Sequence, residues 1–125
     1  MEIVTTSKAP VAIGPYSQAV VAEGLIFTSG QIALTPKGAM IEGDIKAQTR
    51  QVLNNLQNIL HAQGSALANV LKTTVFLANM EDFSEMNEVY AEFFGDHKPA
   101  RSTVAVRTLP KNALVEIECI ALKRT

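Results

Sequence analysis

Two charged residues near the end of the chain, Arg101 and Glu116, are of the types that could bind and hydrolyse a small organic acid. An arginine presents a rigid fork of N–H donors that fits a carboxylate at two points. A glutamate can orient a water molecule or accept a proton from it. The same residues could instead form an exposed cross-strand ion pair, which contributes little to stability. On residue types alone, this structural interpretation is the simpler one.

Other kinds of chemistry lack the residues they need. There is no Cys-x-x-Cys or His-x-x-x-His spacing, and His61 and His97 are far apart in the chain, so a zinc site is not expected. No glycine-rich phosphate loop and no Gly-x-Ser-x-Gly motif is present, so neither a nucleotide cofactor nor a serine nucleophile is expected. Cys119 is expected to be a buried, unreactive thiol.

Length, composition and charge favour a small globular protein. The 125 residues fit a single domain spanning 1–125, and 47% hydrophobic residues suffice for a core. A net charge of −1 without a basic run does not favour nucleic acid binding. With a lone cysteine, no signal-peptide pattern and no long apolar stretch, we expect a cytoplasmic protein without disulfides or membrane contact.

The elements that would position Arg101 and Glu116 can be predicted from periodicity. Strands are expected at residues 17–22 and 25–29, joined by a tight turn at Glu23-Gly24. One helical stripe begins after Asp44, a candidate N-cap, and Gly64 ends it. A second helical stripe begins at Phe83, and Gly95 ends it. Further strands are predicted at residues 70–78, 101–107 and 114–122. Since each helix has one apolar side, both can cover the same face of one sheet, in an α+β arrangement.

The other face of the predicted sheet is mixed in character. In the last strand one set of alternating side chains is apolar, whereas the opposite set combines Glu116 and Glu118 with large aliphatic residues. Two helices cannot cover both faces, so a second copy of the chain is the simplest cover. We predict that Arg101 and Glu116 share this helix-free face, on adjacent or near-adjacent strands if their strands form a hairpin.

Short stretches in order over nearly the whole chain resemble the RidA (YjgF) family. They are Ala12-Ile13-Gly14-Pro15-Tyr16-Ser17-Gln18-Ala19, Thr28-Ser29-Gly30-Gln31-Ile32, Val70-Leu71-Lys72-Thr73-Thr74-Val75-Phe76-Leu77, Asn87-Glu88-Val89-Tyr90, Pro99-Ala100-Arg101-Ser102-Thr103-Val104, Leu109-Pro110-Lys111 and Val115-Glu116-Ile117-Glu118. The resemblance implies a chorismate-mutase-like two-layer α+β fold, with a mixed sheet, two helices on one face, and a homotrimer with pockets between subunits.

The resemblance also implies an activity and a set of site residues. The implied reaction is hydrolytic deamination of reactive 2-enamine and 2-imine acids, such as 2-aminoacrylate, to 2-keto acids and ammonia, without cofactor or metal. By position, Arg101 matches the residue that binds the substrate carboxylate, and Glu116 the residue that positions the attacking water. The matching substrate-binding positions are Tyr16, Ser29, Gly30 and Asn87, and main-chain groups near Thr103 are expected to contribute. Some relatives have cysteine at position 103, so thiol chemistry is not expected there.

From the sequence alone, several of these residues also have ordinary structural interpretations. Tyr16 follows Gly14-Pro15 and could simply cover the edge of the core, and Asn87 could be a solvated helix residue. Two other functions remain open. One is a non-catalytic regulatory trimer that binds a small ligand in the same pocket. The other is an endoribonuclease or translation inhibitor, which the near-neutral charge disfavours.

Overall fold

One mixed β-sheet and two helices form the chain in the computed structural model, which describes residues 1–124. In chain order the elements are β1 (Glu2–Val4), β2 (Ala19–Ala22), β3 (Leu25–Thr28), α1 (Ile45–His61), β4 (Val70–Leu77), α2 (Phe83–Phe94), β5 (Ala100–Ala105) and β6 (Val115–Leu122). The α+β class, both helices and five of the six strands match the sequence prediction. The short strand β1 was not predicted, because three residues are too few to show a period.

The six strands lie in the order β1-β2-β3-β6-β4-β5. The β2–β3 hairpin turns at Glu23 and Gly24, whose φ values of 53° and 76° are those of the turn that the sequence predicts. β4 and β5 are parallel and joined through α2, whereas the other pairs are antiparallel. β5 and β6 do not form the hairpin that the sequence analysis considered, because β4 lies between them.

Both helices pack on the same face of the sheet, as predicted. α1 begins at Asp44, whose Oδ1 accepts a 3.0 Å hydrogen bond from the Ala47 amide, and α2 ends at Gly95. Val52, Leu53 and Leu56 are completely buried between α1 and the sheet. Within residues 1–124, neither helix has the length and apolar character that a membrane span requires.

Burial alternates along the central strands and identifies which face each residue occupies. Ile117 and Cys119 are buried on the helix-packed face, and Glu116 and Glu118 point to the other face, as predicted. Arg101 pairs with Thr73, which is fully buried beneath α2, so Arg101 belongs to the helix-packed face. The prediction that Arg101 and Glu116 share the helix-free face is wrong for Arg101. The alternation along β5 correctly divides its residues into two sets, but the sequence pattern does not indicate which set faces α2.

Large apolar side chains are left open on the helix-free face. Phe27, on β3, is 39% exposed and Val104, on β5, is 44% exposed. Half-buried Phe76 and Ile120 lie between them on β4 and β6, in register with Glu116 and Phe27 respectively. This face thus combines apolar groups with the carboxylates of Glu116 and Glu118.

Candidate active site

The guanidinium of Arg101 is held by three side chains of α2. Its Nη1 donates a 2.7 Å hydrogen bond to Oδ1 of Asn87. Its central carbon lies 4.7 Å from the ring centroid of Tyr90 and 5.5 Å from that of Phe83, both cation–π distances. Asn87, Tyr90 and Phe83 come together because positions three and four apart lie on the same side of a helix. The side chain of Arg101, on the edge strand β5, therefore lies against one side of α2.

All partners of Arg101 within residues 1–124 are neutral. The ion pairs in this part of the chain join Lys46 to Glu88, Arg50 to Glu92 and Lys123 to Glu2, and none involves Arg101. A half-buried guanidinium without a carboxylate beside it has free N–H donors for an incoming anion and no acidic side chain competing for them. Fixed geometry combined with an uncompensated positive charge suits a receptor for a carboxylate.

Arg101 and Asn87 line a cleft of about 400 Å³ between α2 and the segment that follows it. Tyr90, Phe94 and Pro99 contribute apolar groups to its wall. His97 lies in the same wall, with its Nε2 2.6 Å from the carbonyl oxygen of Val70, so this ring ties the segment to β4. The structure thus brings together two of the predicted site residues in this cleft.

Glu116 lies in a second cleft, of about 310 Å³, which also contains Tyr16 and Gly30. Apolar side chains make up much of its wall, among them Val11, Ala12, Ile13, Ile32 and Leu34. Tyr16 is 54% exposed, and its hydroxyl oxygen accepts a 3.4 Å hydrogen bond from the Ile13 amide. Three of the predicted site residues therefore meet here, in a pocket with an apolar wall and one carboxylate.

A β-bulge brings Gly30 against Glu116. Phe27 pairs with Ile120 and Gln31 pairs with Ile117, so three residues of one strand (28–30) oppose two of the other (118–119). A Cβ atom at Gly30 would lie 2.5 Å from Oε2 of Glu116. Any side chain at position 30 would therefore force the Glu116 carboxylate to move, although the φ of Gly30 is not positive.

The carboxylate of Glu116 is unpaired within the described part of the chain, with neither an ion pair nor a hydrogen bond to residues 1–124. Burial raises the pKa of Glu116, and the nearby charge of Glu118 raises it further. A carboxylate with a raised pKa is a stronger base than an ordinary glutamate, which suits proton transfer from water.

The two charged groups are too far apart within one chain to act on the same small molecule. Arg101 pairs with Thr73 and Glu116 with Phe76, three residues further along β4 and on its other side. Standard strand spacings place their Cα atoms about 14 Å apart, and the side chains point to opposite faces. The chain thus has two half-sites, a cation half-site at Arg101 and a carboxylate half-site at Glu116.

Two predicted substrate-binding residues line neither cleft. The Ser29 hydroxyl donates a 2.5 Å hydrogen bond to the Ser17 carbonyl and therefore holds the bulge in place. Thr103 lies two residues beyond Arg101 on the same side of β5, and its buried Oγ1 has no partner within residues 1–124. Cys119 is buried, as predicted, and burial raises its pKa to about 12, which makes it a poor nucleophile.

Sequence reasoning missed the residues that support the two half-sites. Tyr90 and Phe83 belong to an apolar stripe that predicts only core packing, yet their rings contact Arg101. Buried Gln18 accepts a 2.7 Å hydrogen bond from the Thr6 amide and donates to the carbonyls of Thr6 and Pro10, which fixes the loop beside Tyr16. The spacing of Tyr90, three positions after Asn87 on the same helix, was the one sequence feature that could have indicated its place beside Arg101. Within residues 1–124, no cluster of three or more His, Cys, Asp or Glu side chains could hold a metal ion.

Comparison with known proteins identifies the family. The family model described as Endoribonuclease L-PSP matches residues 6–123. A RutC family protein from Pyrococcus horikoshii is 55% identical over 123 residues, covering 98% of both chains. The human 2-iminobutanoate/2-iminopropanoate deaminase is 43% identical, covering 97% of this chain and 89% of its own. The crystal structure of E. coli TdcF with bound serine has a TM-score of 0.94 and 42% identity, covering 99% of this chain and all of TdcF. The chain belongs to the L-PSP family, also called the YjgF/RidA family.

Proposed function

We propose that this protein hydrolyses reactive 2-imino acids, formed from enamines such as 2-aminoacrylate, to 2-keto acids and ammonia. The active site would lie between two copies of the chain in a homotrimer, where the cation half-site of one copy meets the carboxylate half-site of the next. The main support is the pair of opposite, uncompensated charges, Arg101 and Glu116, each in its own cleft. The deaminase name of the human relative supports the same reaction class.

The helix-free face supports the proposed assembly. Phe27 and Val104 are partly exposed on it, and apolar groups of this size are usually covered by another surface. A closed assembly can bring different surfaces of identical chains together at every interface. Neither Arg101 nor Glu116 has an ionic partner within residues 1–124, so neither charge is already neutralised where a substrate would bind between two copies.

The chemistry needs three actions from the residues. Arg101 binds the substrate carboxylate at two points and so orients the C=N carbon. Glu116 of the neighbouring copy accepts a proton from water while the water oxygen bonds to that carbon. Glu116 then returns that proton to nitrogen, takes the proton of the new hydroxyl group and transfers it to nitrogen as well, so the C=O bond forms as the C–N bond breaks and ammonia leaves. Water supplies the oxygen and the reacting carbon keeps its oxidation state, so the balanced reaction needs no oxidant or reductant.

Mixing two inactive variants tests the shared site directly. Arg101→Ala and Glu116→Gln should each lose most imine hydrolysis, measured with imine generated freshly by a threonine dehydratase. In co-expressed mixtures, an interface is intact when one copy keeps Arg101 and its neighbour keeps Glu116. Random assembly gives about one half times one half, so about a quarter of wild-type activity should return.

The outcome separates three possibilities. No recovery in mixed oligomers would place both residues of each site in one chain, contrary to the geometry above. Full activity of Arg101→Ala alone would remove the carboxylate role. Absence of imine hydrolysis by the wild-type protein would refute the deaminase function itself.

A second candidate function is ligand binding without turnover. It is favoured by the structure of E. coli TdcF, which is described with bound serine, a carboxylate-containing molecule. The same half-sites could hold an amino acid or keto acid without hydrolysis. Ammonia release from freshly formed 2-aminoacrylate distinguishes the two functions. RNA cleavage, named in the family description, has less support, since the net charge is −1 and two carboxylates lie on the helix-free face.

A further inference from the structure

We propose that Tyr90 is a positioning residue that fixes the orientation of the Arg101 guanidinium, with its ring held by a buried hydrogen bond to Thr73. This inference rests on the proposed function, because it takes Arg101 as the receptor for the substrate carboxylate. It identifies a residue of the cleft wall that would affect carboxylate recognition by acting on Arg101.

The contacts form a chain from the core to the cleft. Fully buried Thr73 and buried Tyr90 share a hydrogen bond of 2.7 Å between their hydroxyl oxygens. The Tyr90 ring lies 4.7 Å from the Arg101 guanidinium carbon. Thr73 is also the strand partner of Arg101, so the same β4 position holds both the backbone of Arg101 and the ring beneath its side chain.

Tyr90 is suited to this role and not to proton transfer. Burial raises the pKa of Tyr90, so its hydroxyl stays protonated and the ring stays neutral. The centroid of the Phe94 ring lies 4.5 Å from that of the Tyr90 ring, and this contact also limits the movement of Tyr90. A fixed neutral ring attracts the guanidinium but leaves its charge uncompensated, whereas an acidic partner would compete with the substrate.

The wider arrangement restricts the guanidinium in two directions. Asn87 fixes one edge by the 2.7 Å hydrogen bond to Nη1, and Tyr90 restrains one face of the plane. The donors not used by Asn87 can then bind a carboxylate at two points. Without the Tyr90 ring, only the hydrogen bond to Asn87 and the more distant Phe83 ring would restrain the guanidinium plane.

The test measures preference for a carboxylate, which a purely structural role would not change. Affinities for 2-oxobutanoate and its uncharged amide, 2-oxobutanamide, are measured by NMR titration. Tyr90→Leu should weaken binding of the acid by about 2- to 30-fold, the effect of one cation–π contact, and leave binding of the amide unchanged. Tyr90→Phe with Thr73→Val keeps the ring and removes both hydroxyls, and it should give a smaller loss.

Phe93→Leu is the matched control, because this half-buried ring of α2 packs on the core and is not among the rings that contact Arg101 or line its cleft within residues 1–124. It should leave the preference for the acid unchanged. If Tyr90→Leu fails to fold, Phe83→Leu is the second variant, since its ring lies 5.5 Å from the guanidinium and is half-buried. It should reduce the preference in the same direction but less.

Each outcome is decisive. Unchanged preference in the ring variants, with normal imine hydrolysis, overturns the positioning role and leaves the proposed function standing. A reduced preference in a protein that releases no ammonia supports the positioning role and refutes the deaminase function. A wild-type protein with no preference for the acid over the amide overturns both the positioning role of Tyr90 and the carboxylate-binding role of Arg101.

Discussion

The two half-sites differ in how much of their geometry the chain itself supplies. Arg101 lies against two aromatic rings and donates to an amide oxygen, so its orientation is set by α2 before anything binds. Glu116 has an apolar cleft beside it and a glycine against its carboxylate, but no donor within residues 1–124 holds its oxygens. The cation is preorganised, whereas the carboxylate is confined by shape alone.

This difference matches the different demands on the two groups. A residue that binds a charged substrate should already be oriented, because ordering it during binding would cost free energy. A residue that exchanges protons with water benefits from an environment that raises its pKa, and strong hydrogen bonds from the protein would lower that pKa instead. The sparse surroundings of Glu116 are therefore as consistent with chemistry as the crowded surroundings of Arg101 are with binding.

The largest expected effect comes from disturbing the shape that confines Glu116. Gly30→Ala places a methyl group where Oε2 lies, so the carboxylate must move. We expect kcat for imine hydrolysis to fall by about 10- to 100-fold, because small displacements of a reacting group are costly. KM should stay within about 2-fold, since Arg101 is not affected. A change confined to KM would contradict the separation of the two half-sites.

A smaller effect concerns the pH at which Glu116 becomes ionised. Activity should fall at low pH, because only the ionised carboxylate accepts a proton from water. Burial and Glu118 raise the pKa of Glu116, so the midpoint should lie above 4.5. Glu118→Gln removes the smaller of these two causes and should move the midpoint to lower pH. Glu85→Gln on the exposed side of α2 is the control, and a shift there of equal size would show a general charge effect.

The smallest expected effect is on stability, and it should have opposite signs at the two half-sites. A glutamate with a raised pKa in the folded chain opposes folding while it is ionised. Glu116→Gln should therefore raise the unfolding temperature at neutral pH, and this gain should vanish as the pH falls below 4.5. Arg101→Met should lower the unfolding temperature, because it removes the donor to Asn87 and the two ring contacts.

Thermal unfolding at equal protein concentration and two pH values measures both changes. A destabilising Glu116→Gln at neutral pH would indicate that another copy of the chain provides a donor for this carboxylate. The contrast between Arg101, which its own chain holds in place, and Glu116, which has no hydrogen-bond donor, would then apply to the single chain but not to the assembly.

Local patterns predicted much of the fold. The N-cap at Asp44, the Glu23-Gly24 turn and the alternation in β6 are set by residues close in sequence, and each was found as predicted. The place of β5 was not predictable in this way. Whether β5 pairs with β6 or with β4 depends on the crossover through α2, and the register of that pairing determines the face on which Arg101 lies.

The candidate site also combines residues that the sequence could identify with residues that only the three-dimensional structure shows. The resemblance identified Arg101, Glu116, Tyr16, Gly30 and Asn87, and the structure distributes them over two clefts. Their supporting residues were missed because a buried threonine and a helix tyrosine have ordinary roles in any core. Only three-dimensional contact distinguishes the Thr73–Tyr90 hydrogen bond from routine packing.

The extra residue in the bulge at positions 28–30 makes function more sensitive than folding to a change in chain length. Deleting one residue there would allow the ladder between β3 and β6 to continue without interruption, so the sheet could even become more regular. The glycine beside Glu116 would then be lost from its place or replaced by a neighbour with a side chain. Homologues with one residue fewer in this segment should therefore keep the architecture and have lost the hydrolytic chemistry.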